Sequence, residues 1–254
     1  MRPTALIRRP GPRLVDGMVT HIERVPVDPA RALGQWEAYG AALESAGWDL
    51  IEVPPADDCP DAVFVEDTVV MYRNVGVVAR PGADERKPEI IETEKVLESL
   101  GCSMNRIQAP GTLDGGDVLK VGDTVYVGRG GRTNAEGVAQ LRSILEPLGA
   151  TVITVPVQKV LHLKSAVTAL PDGSVIGHLP LVDDTAVFDR FRPVPEESGA
   201  HVVELGDGKL LMAADAPHSA ELFTQLGYDP VTVDISEFQK LEGCVTCLSV
   251  RLRA

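Results

Sequence analysis

Apolar and polar positions along the chain alternate between a helical and a strand-like spacing. The segment from Pro29 to Ala46 places apolar side chains on one face at helical spacing, and Gly47 ends it. The apolar run from Trp48 to Val53 then predicts a strand, which the following prolines terminate. Thr4 to Ile7 forms a shorter strand candidate ahead of the helix. The first part of the chain therefore predicts strand, helix and strand in that order.

Beyond residue 67, a hairpin followed by a helix and a further strand occurs twice with similar spacing. The first copy predicts strands Thr68–Tyr72 and Val75–Ala79, a helix near Glu89–Leu100 and a strand at Ser103–Gln108. The second copy predicts strands Asp117–Val121 and Thr124–Val127, a helix near Asn134–Leu148 and a strand at Thr151–Pro156. Each copy has a glycine-containing loop before its helix, which supports the comparison.

Weaker copies of the same pattern follow. A hairpin is expected from Ser165–Leu170 and Ser174–Ile176, with helical character near Asp183–Phe191. Another copy consists of a strand at Lys209–Ala213, a helix near Pro217–Leu226 and a strand at Pro230–Val233. A strand at Cys247–Leu252 closes the series, and the N-terminal segments complete the first unit.

Units of this kind cannot bury their apolar faces alone, so they must pack against one another in a ring or a stacked array. We predict an α/β fold in which five ββαβ units surround a pseudo-symmetry axis, with strands inside, helices outside and a central cleft. No linker, charge block or low-complexity run divides the chain. Residues 1–254 are therefore predicted to form one domain.

The composition restricts the kinds of molecule that we expect this protein to bind. The formal net charge of −13 argues against nucleic acid or an anionic membrane as the main partner, since both require cationic surface. It is compatible with a small cationic substrate. The four cysteines are too few for a disulfide scaffold, and no apolar stretch approaches the roughly 18 residues of a membrane span. We therefore expect a protein of the reducing cytoplasm.

Cys247 and His162 are the strongest candidates for chemistry, since an imidazole can generate the thiolate that attacks a substrate. Each residue also has an ordinary structural interpretation, because apolar strands often bury a cysteine or a hydrogen-bonded histidine. Cys244 and Cys247 form a C-x-x-C motif, but its place near the C-terminus differs from that of a thioredoxin motif. The remaining cysteines lack the spacing of zinc ligands.

Acidic residues occur at two places where they could act on a ligand. Asp61, Glu66 and Asp67 border an apolar run, and paired buried carboxylates are costly unless a cation meets them. They could equally cap a hairpin. Asp114 and Asp117 flank two glycines, so one of them could orient an imidazole, or both could shape a turn.

Arg86 and Arg132 each follow a glycine-bearing loop at equivalent places in the two clear repeats. A guanidinium in such a position can hold a substrate carboxylate through two parallel hydrogen bonds. The usual alternative for an arginine on an exposed loop is solvation, and the sequence leaves both interpretations open.

Seven short motifs follow one another between residues 14 and 250. They are Leu14-Val-Asp-Gly17, Asp61-x-Val-Phe-Val-Glu-Asp67, Ala79-Arg-Pro-Gly-Ala83, Leu113-Asp-Gly-Gly-Asp-Val118, Arg132-Thr-Asn134, Leu161-His-Leu-Lys164 and Cys244-Val-Thr-Cys-Leu-Ser249. In this order they resemble the dimethylarginine dimethylaminohydrolases, members of the guanidino-group modifying superfamily with a five-bladed α/β-propeller fold. The resemblance covers nearly the whole chain, and it rests on the combination of motifs.

The resemblance implies hydrolysis of Nω-methylated arginines to citrulline and a methylamine, with no metal or organic cofactor. It implies Cys247 as the nucleophile, His162 as the general acid and base, and Asp114 as the acid that contacts the histidine. The implied substrate contacts are Glu66 and Asp67 at the guanidinium, Asp61, Arg86 and Arg132 at the amino-acid end, and the backbone of Met18 and Leu241.

Three residues depart from the pattern of relatives. Asp114 is shorter than the glutamate that some relatives have, and Met18 occupies a position where relatives have a leucine-like residue. Cys244 is extra, and a disulfide between it and Cys247 under oxidation would block the nucleophile.

Other functions fit parts of the same pattern. An arginine or agmatine deiminase would usually carry His-x-Asp, whereas Lys164 occupies the third position here. An amidinotransferase would share the cysteine and the histidine. A non-enzymatic propeller that binds an arginine-like ligand or a protein would not need the Cys247–His162 pair. A homodimer is also considered as an assembly.

Overall fold

Five small sheets of three strands each make up the computed structural model, which describes residues 2–253. In every sheet the middle strand pairs antiparallel with one neighbour and parallel with the other. A tight turn can join antiparallel neighbours, but parallel neighbours need a crossover segment. Each sheet is therefore one copy of the predicted strand–strand–crossover–strand unit.

The elements have the following bounds. The strands are β1 (Thr4–Ile7), β2 (Asp49–Glu52), β3 (Val69–Tyr72), β4 (Val75–Val78), β5 (Ser103–Arg106), β6 (Val118–Val121), β7 (Thr124–Arg129), β8 (Thr151–Pro156), β9 (Val167–Ala169), β10 (Val175–Gly177), β11 (Phe191–Pro193), β12 (Val202–Gly206), β13 (Lys209–Ala213), β14 (Asp229–Val233) and β15 (Val250–Leu252). The helices are α1 (Pro29–Ser45), α2 (Ile90–Ser99), α3 (Ala135–Leu145), α4 (Pro217–Gln225) and α5 (Ser236–Gln239). Among residues 2–253, no helix combines the length and apolar character that crossing a membrane requires.

Most predicted elements are confirmed to within a few residues at their ends. The strands expected at Thr4–Ile7, Thr151–Pro156 and Lys209–Ala213 coincide with β1, β8 and β13. The four long predicted helices correspond to α1, α2, α3 and α4. Their apolar faces lie against the sheets, where α1 buries Trp36 and Tyr39, for example. The spacing of apolar residues was therefore sufficient to identify these elements.

Two predicted elements are wrong, and two strands were missed. The stretch near Asp183–Phe191 forms turns instead of a helix, and Phe188 packs edge-on against Tyr126 from the neighbouring unit. The last strand starts at Val250, because residues 245–248 form a turn. The missed strands are β11, which pairs with β10, and β12, which pairs with β13. Within residues 2–253, only the unit of β9, β10 and β11 makes its crossover without an α-helix.

The two ends of the described chain meet in one sheet. β1 pairs antiparallel with β15, so that Thr4 opposes Leu252 and Leu6 opposes Val250. β1 also pairs parallel with β2, across the crossover through α1. The N-terminal strands therefore complete a unit with the C-terminal strand, and the first repeat, β3 to β5, forms its sheet without them.

The first strands of the five units, β15, β3, β6, β9 and β12, enclose a common space. A cavity of about 430 Å³ has wall residues from all of them, namely Met71, Lys120, Thr168, Val202 and Arg251. A tight turn directly precedes each of these strands: the 3-10 turns are Val65–Thr68, Gly115–Asp117, Leu163–Ser165 and Ser198–Ala200, and the fifth turn is 245–248. Glu66, Asp67, Asp117 and Cys247 lie in these turns, and Asp114 and His162 directly precede two of them. The fold therefore gathers candidate residues that are far apart in sequence.

Tyr39 on α1 holds the last of these turns in place. Its buried hydroxyl donates a hydrogen bond to the carbonyl of Val245 at 2.9 Å and lies 2.7 Å from Ser249 Oγ. Both contacts are buried, so water cannot replace them without structural change.

The Tyr39→Phe variant should lower the free energy of unfolding by about 1–2 kcal/mol, because the buried Val245 carbonyl loses its donor. Urea denaturation followed by circular dichroism would measure this change. Tyr228→Phe is a suitable control, since Tyr228 is half-buried and its hydroxyl makes no protein hydrogen bond within residues 2–253. Equal stability of the two variants would contradict the assigned contact.

Candidate active site

A small cavity lies beside the turns that precede β3, β9 and β15. Of the predicted site residues, its walls contain Met18, Asp61, Asp67, Arg86, Arg132, His162, Leu241 and Cys247. The predicted nucleophile and the predicted acid and base therefore face one space, although they are far apart in sequence. The cavity volume is about 20 Å³, which is room for roughly one water molecule.

His162 is fixed by a buried aspartate. It directly precedes the 3-10 turn Leu163–Ser165, and its Nε2 lies 2.9 Å from Asp114 Oδ2. The other oxygen of Asp114 accepts a hydrogen bond from the Gly82 backbone N–H at 2.8 Å. Asp114 is completely buried, so its shorter side chain reaches the imidazole without water between them. This contact orients the ring.

Asp117 has a different place from Asp114. Its Oδ1 accepts from the Leu163 backbone N–H at 2.9 Å, and its Oδ2 accepts from the Thr133 hydroxyl at 2.6 Å. Burial raises the pKa of Asp117 to about 6, although the positive charge of His162 opposes the change. Of the two acids that flank the glycines, Asp114 contacts the imidazole, and Asp117 supports the turn that follows it.

Asp67 lies on the other side of the His162 ring. Its Oδ1 is 3.9 Å from His162 Nδ1 and accepts a hydrogen bond from the Gly116 N–H at 2.8 Å. A Cβ at position 116 would lie 2.6 Å from Asp67 Oδ1 and 2.7 Å from His162 Nδ1. Only glycine permits this approach, so Gly116 is a structural requirement of the site.

The surrounding carboxylates keep the imidazole protonated. Burial lowers the pKa of His162, but the charge of Asp67 and the hydrogen bond to Asp114 outweigh it and raise the pKa to about 9. Burial likewise disfavours the charged form of Asp67, yet His162 and Arg86 lower the pKa of this carboxyl well below its usual range. At neutral pH the site therefore contains an imidazolium between two carboxylates.

Arg86 is occupied mainly by protein acceptors. Its Nε and Nη2 bind the carboxylate of Glu89, and its Nη1 donates to Asp67 Oδ2 at 2.6 Å. Nη2 also donates to the carbonyls of Asp61 and Phe64. Since a guanidinium has five N–H groups, only one on Nη1 stays without a protein acceptor among the described residues. The main effect of Arg86 is to hold Asp67.

Arg132 has donor capacity that the protein leaves unused. It lines the cavity, and its Nη1 is buried without a hydrogen-bond partner in the described part of the chain. A buried charged donor without a partner is costly, which favours an anionic group of a ligand at this position. Asp61, also in the cavity wall, accepts from the Met18 N–H at 3.2 Å through both oxygens. Burial is the main cause that raises the pKa of Asp61.

Glu66 points away from this cavity. Its Oε1 binds Lys164 Nζ at 2.6 Å and Arg251 Nη2 at 2.7 Å, and its side chain lines a separate cavity instead. Its backbone N–H donates to the Cys247 carbonyl at 3.2 Å. The expected contact between the Glu66 carboxylate and a guanidinium stays a prediction, which this side-chain orientation does not support.

Cys247 lies against Cys244 in the turn before β15. The two sulfur atoms are 3.3 Å apart, and the Cys244 backbone N–H donates to Cys247 Sγ at 3.4 Å. The hydrogen bond with Cys244, burial and the nearby negative charges of Glu66 and Asp67 raise the pKa of Cys247 well above that of an ordinary thiol. Because the two sulfurs share one hydrogen bond, the pair carries at most one negative charge.

Glu242, a wall residue of the cavity, holds a nearby surface loop, and no pattern in the sequence indicated this contact. Its carboxylate accepts hydrogen bonds from the Thr20 N–H at 2.6 Å, from the Thr20 hydroxyl at 3.1 Å and from the His21 N–H at 2.9 Å. Glu242 adopts a left-handed backbone conformation with φ of 60°, which is unusual for a residue with a side chain. Phe64 and Gly243 also line the cavity and were not predicted.

Asp67, Asp114 and His162 are close enough together to surround a metal ion. Their oxygens already accept hydrogen bonds from Gly116, Arg86, Gly82 and the imidazole. The set is therefore arranged to hold a protonated imidazole.

Comparisons with known proteins identify the family of this chain. A family model described as arginine deiminase matches residues 57–233. A curated relative from Streptomyces coelicolor, named N(G),N(G)-dimethylarginine dimethylaminohydrolase, is 67% identical over 249 residues, which is 98% of this chain and 96% of the relative. The chain belongs to the dimethylarginine dimethylaminohydrolase family.

Solved structures of family members agree with this assignment. A histidine-to-glycine variant of a dimethylarginine dimethylaminohydrolase, described as an adduct with S-methyl-L-thiocitrulline, has a TM-score of 0.92 and 34% identity, covering 99% of this chain and 100% of that chain. A cysteine-to-serine variant of the Pseudomonas aeruginosa protein, described as complexed with citrulline, has a TM-score of 0.92 and 35% identity, covering 99% and 100% of the two chains. The mixed α/β fold of five sheets is thus that of the family.

The pKa of His162 should be measurable as about 9 by NMR titration, and Asp114→Asn should lower it because a hydrogen bond to the charged form is lost. The pKa of His162 is higher in the folded chain than its ordinary value of 6.5, and this difference determines how stability changes with pH. Relative to His162→Gln, the protonated histidine stabilises the folded chain fully below pH 6.5, and this advantage falls as the pH rises through about 9. An unchanged pKa in Asp114→Asn would contradict the assigned contact.

Peroxide should join Cys244 and Cys247 in a disulfide, since their sulfurs already lie 3.3 Å apart. The two thiols lose two electrons and two protons, and hydrogen peroxide becomes two molecules of water. Intact mass and peptide mapping should show the loss of two hydrogens, reversed by dithiothreitol and absent in Cys244→Ser. Crosslinks that involve Cys59 or Cys102 instead would contradict this prediction.

Proposed function

We propose that this protein hydrolyses Nω-methylated arginines to citrulline and dimethylamine or methylamine through a covalent cysteine intermediate. The observation that carries the proposal is the convergence of Cys247, His162, Asp67 and Arg132 at one cavity, with Asp114 hydrogen-bonded to His162 behind it. Each residue type meets one requirement of the reaction. The names of the relatives support the same conclusion.

The charges around the cavity match the two ends of a methylarginine. We assign Asp67 to the guanidinium, since its carboxylate lies beside both the imidazole and the cavity. We assign the unpartnered Nη1 of Arg132 to the substrate carboxylate and Asp61 to the substrate ammonium. Arg86 acts mainly by holding Asp67. We assign the backbones of Met18 and Leu241 to contacts with the substrate. These assignments place the guanidinium carbon near Cys247.

The reaction begins with ionisation of Cys247. The hydrogen bond with Cys244, burial and nearby negative charges raise the pKa of Cys247 and keep the thiol neutral in the free protein. A bound cationic guanidinium compensates the negative charges and favours the thiolate. The thiolate then attacks the guanidinium carbon to form a tetrahedral adduct. Orientation of the substrate between fixed charges lowers the entropic part of the barrier.

His162 handles the protons of both steps. In its protonated form it donates a proton to the methylated nitrogen as the carbon–nitrogen bond breaks, and the amine leaves. The neutral imidazole then removes a proton from water, whose oxygen attacks the carbon of the S-alkylthiouronium intermediate. The carbon–sulfur bond breaks, citrulline forms and Cys247 is regenerated. Asp114 keeps the ring in position throughout.

Substrate access requires movement of residues around the cavity. A cavity of about 20 Å³ is far smaller than a methylarginine, so residues must move before binding. The loop at Thr20 and His21 is held through the single carboxylate of Glu242 and is largely exposed. We assign the opening to release of these hydrogen bonds.

The wider arrangement belongs to the same proposal. We infer one domain over residues 1–254, with the five units as the blades of a pseudo-symmetric α/β-propeller around a central cleft. The partner is a small cationic substrate, with neither nucleic acid nor membrane. The homodimer and the cytoplasmic location stay predictions.

Cys247→Ser should reduce citrulline formation below about a thousandth of the wild-type rate while the fold remains, because a hydroxyl is a poor nucleophile here. Arginine, monomethylarginine and asymmetric dimethylarginine should be assayed side by side. Faster turnover of arginine than of both methylated substrates would favour the deiminase alternative. A substrate-derived mass on Cys247 after acid quenching would identify the intermediate, and full activity of the serine variant would refute the assignment.

Arg132→Gln should lower kcat/KM for methylarginine by about tenfold to a hundredfold, since a hydrogen bond between charged groups contributes roughly 1.5–3 kcal/mol. The loss should be much smaller with a decarboxylated analogue that retains the methylguanidinium. Arg129→Gln provides a matched control, because Arg129 is exposed and lies outside the cavity. Equal losses for both substrates would place Arg132 away from the carboxylate.

A further inference from the structure

The cavity of about 430 Å³ that the five first strands enclose is separate from the proposed substrate site. The two cavities have no wall residue in common. Its volume is within the range of small-molecule sites, roughly 300–1,000 Å³. Apolar residues such as Val118 and Leu170 form part of the wall, and Lys120 and Arg253 are exposed, so solvent reaches the interior.

Positive charge is concentrated in this cavity, although the chain as a whole has a formal charge of −13. Lys120, Lys164, Arg251 and Arg253 line it together. Lys164 and Arg251 share a single carboxylate, that of Glu66. Arg253 binds the one acidic residue of the wall, Glu204, through its side chain and its carbonyl. The bases therefore outnumber their acidic partners.

Lys120 is the cation without an acidic partner. Its ammonium group donates to the Met71 carbonyl at 2.5 Å, its one hydrogen bond in the described part of the chain. Two N–H groups remain for a ligand. Lys164, Arg251 and Arg253 add positive charge around this ammonium group. An anion bound in the cavity would offset the positive charge of these side chains.

We propose that this cavity binds a small multivalent oxyanion, with phosphate or carboxylate groups held by Lys120, Arg251 and Arg253. Cations that converge in a walled space attract such groups more strongly than isolated surface charges do. The apolar part of the wall admits a short carbon skeleton beside the charged groups. No step of the proposed hydrolysis uses this site.

Isothermal titration of the full chain with pyrophosphate and, separately, citrate at constant ionic strength tests the proposal. Saturable binding of one molecule per chain is expected for at least one of them, and the preference identifies the oxyanion class.

Three variants locate the binding. Lys120→Gln should weaken affinity about tenfold, equivalent to roughly 1.4 kcal/mol. Lys95→Gln removes an exposed lysine elsewhere and should leave affinity unchanged. Arg132→Gln should also bind normally, which separates this cavity from the carboxylate position of the proposed substrate site.

The opposite results are equally clear. Absence of saturable binding of both anions, or equal weakening by Lys120→Gln and Lys95→Gln, would overturn the proposal. Loss of binding in Arg132→Gln alone would assign the anion to the other cavity and would overturn it as well. None of these outcomes bears on whether Cys247 forms a covalent intermediate, so the two proposals fail separately.

Discussion

The ion pair between Arg86 and Asp67 is the interaction on which the other contacts of the site depend. Asp67 is buried, and without a neighbouring cation a buried carboxylate would tend to take up a proton. Arg86 supplies that cation, and its guanidinium also forms an ion pair with Glu89. The ionised Asp67 in turn keeps His162 protonated. The charge state of the imidazole is therefore determined by an arginine that need not touch substrate.

Sequence patterns predicted the repeated unit and most of the cavity walls. Helical spacing identified α1, and the comparison of residues 67–108 with residues 117–156 identified two whole units. The motifs also contained Cys247, His162 and Asp114, which the structure brings to one cavity or into direct hydrogen-bond contact. The elements could be predicted because they depend on local spacing, and the motif residues because they lie in short motifs; the catalytic roles of these residues stay predictions.

Features that depend on distant packing could not be predicted in the same way. The neighbouring acids Glu66 and Asp67 point to different cavities, because successive residues of a 3-10 turn point in different directions. Glu242 binds a loop 222 positions away, and no periodicity links the two segments. The stretch near Asp183–Phe191 has apolar residues, but they pack through turns. Only the folded geometry distinguishes these arrangements.

The placement of Cys247 just before β15 has a consequence for biosynthesis. A ribosome must make nearly every other part of the site, from Met18 to Leu241, before it adds this sulfur. The sheet that joins β1 to β15 can form only once residues 250–252 have left the exit tunnel. A nascent chain therefore has no complete site, and reactivity arises only when the last strand docks beside the first.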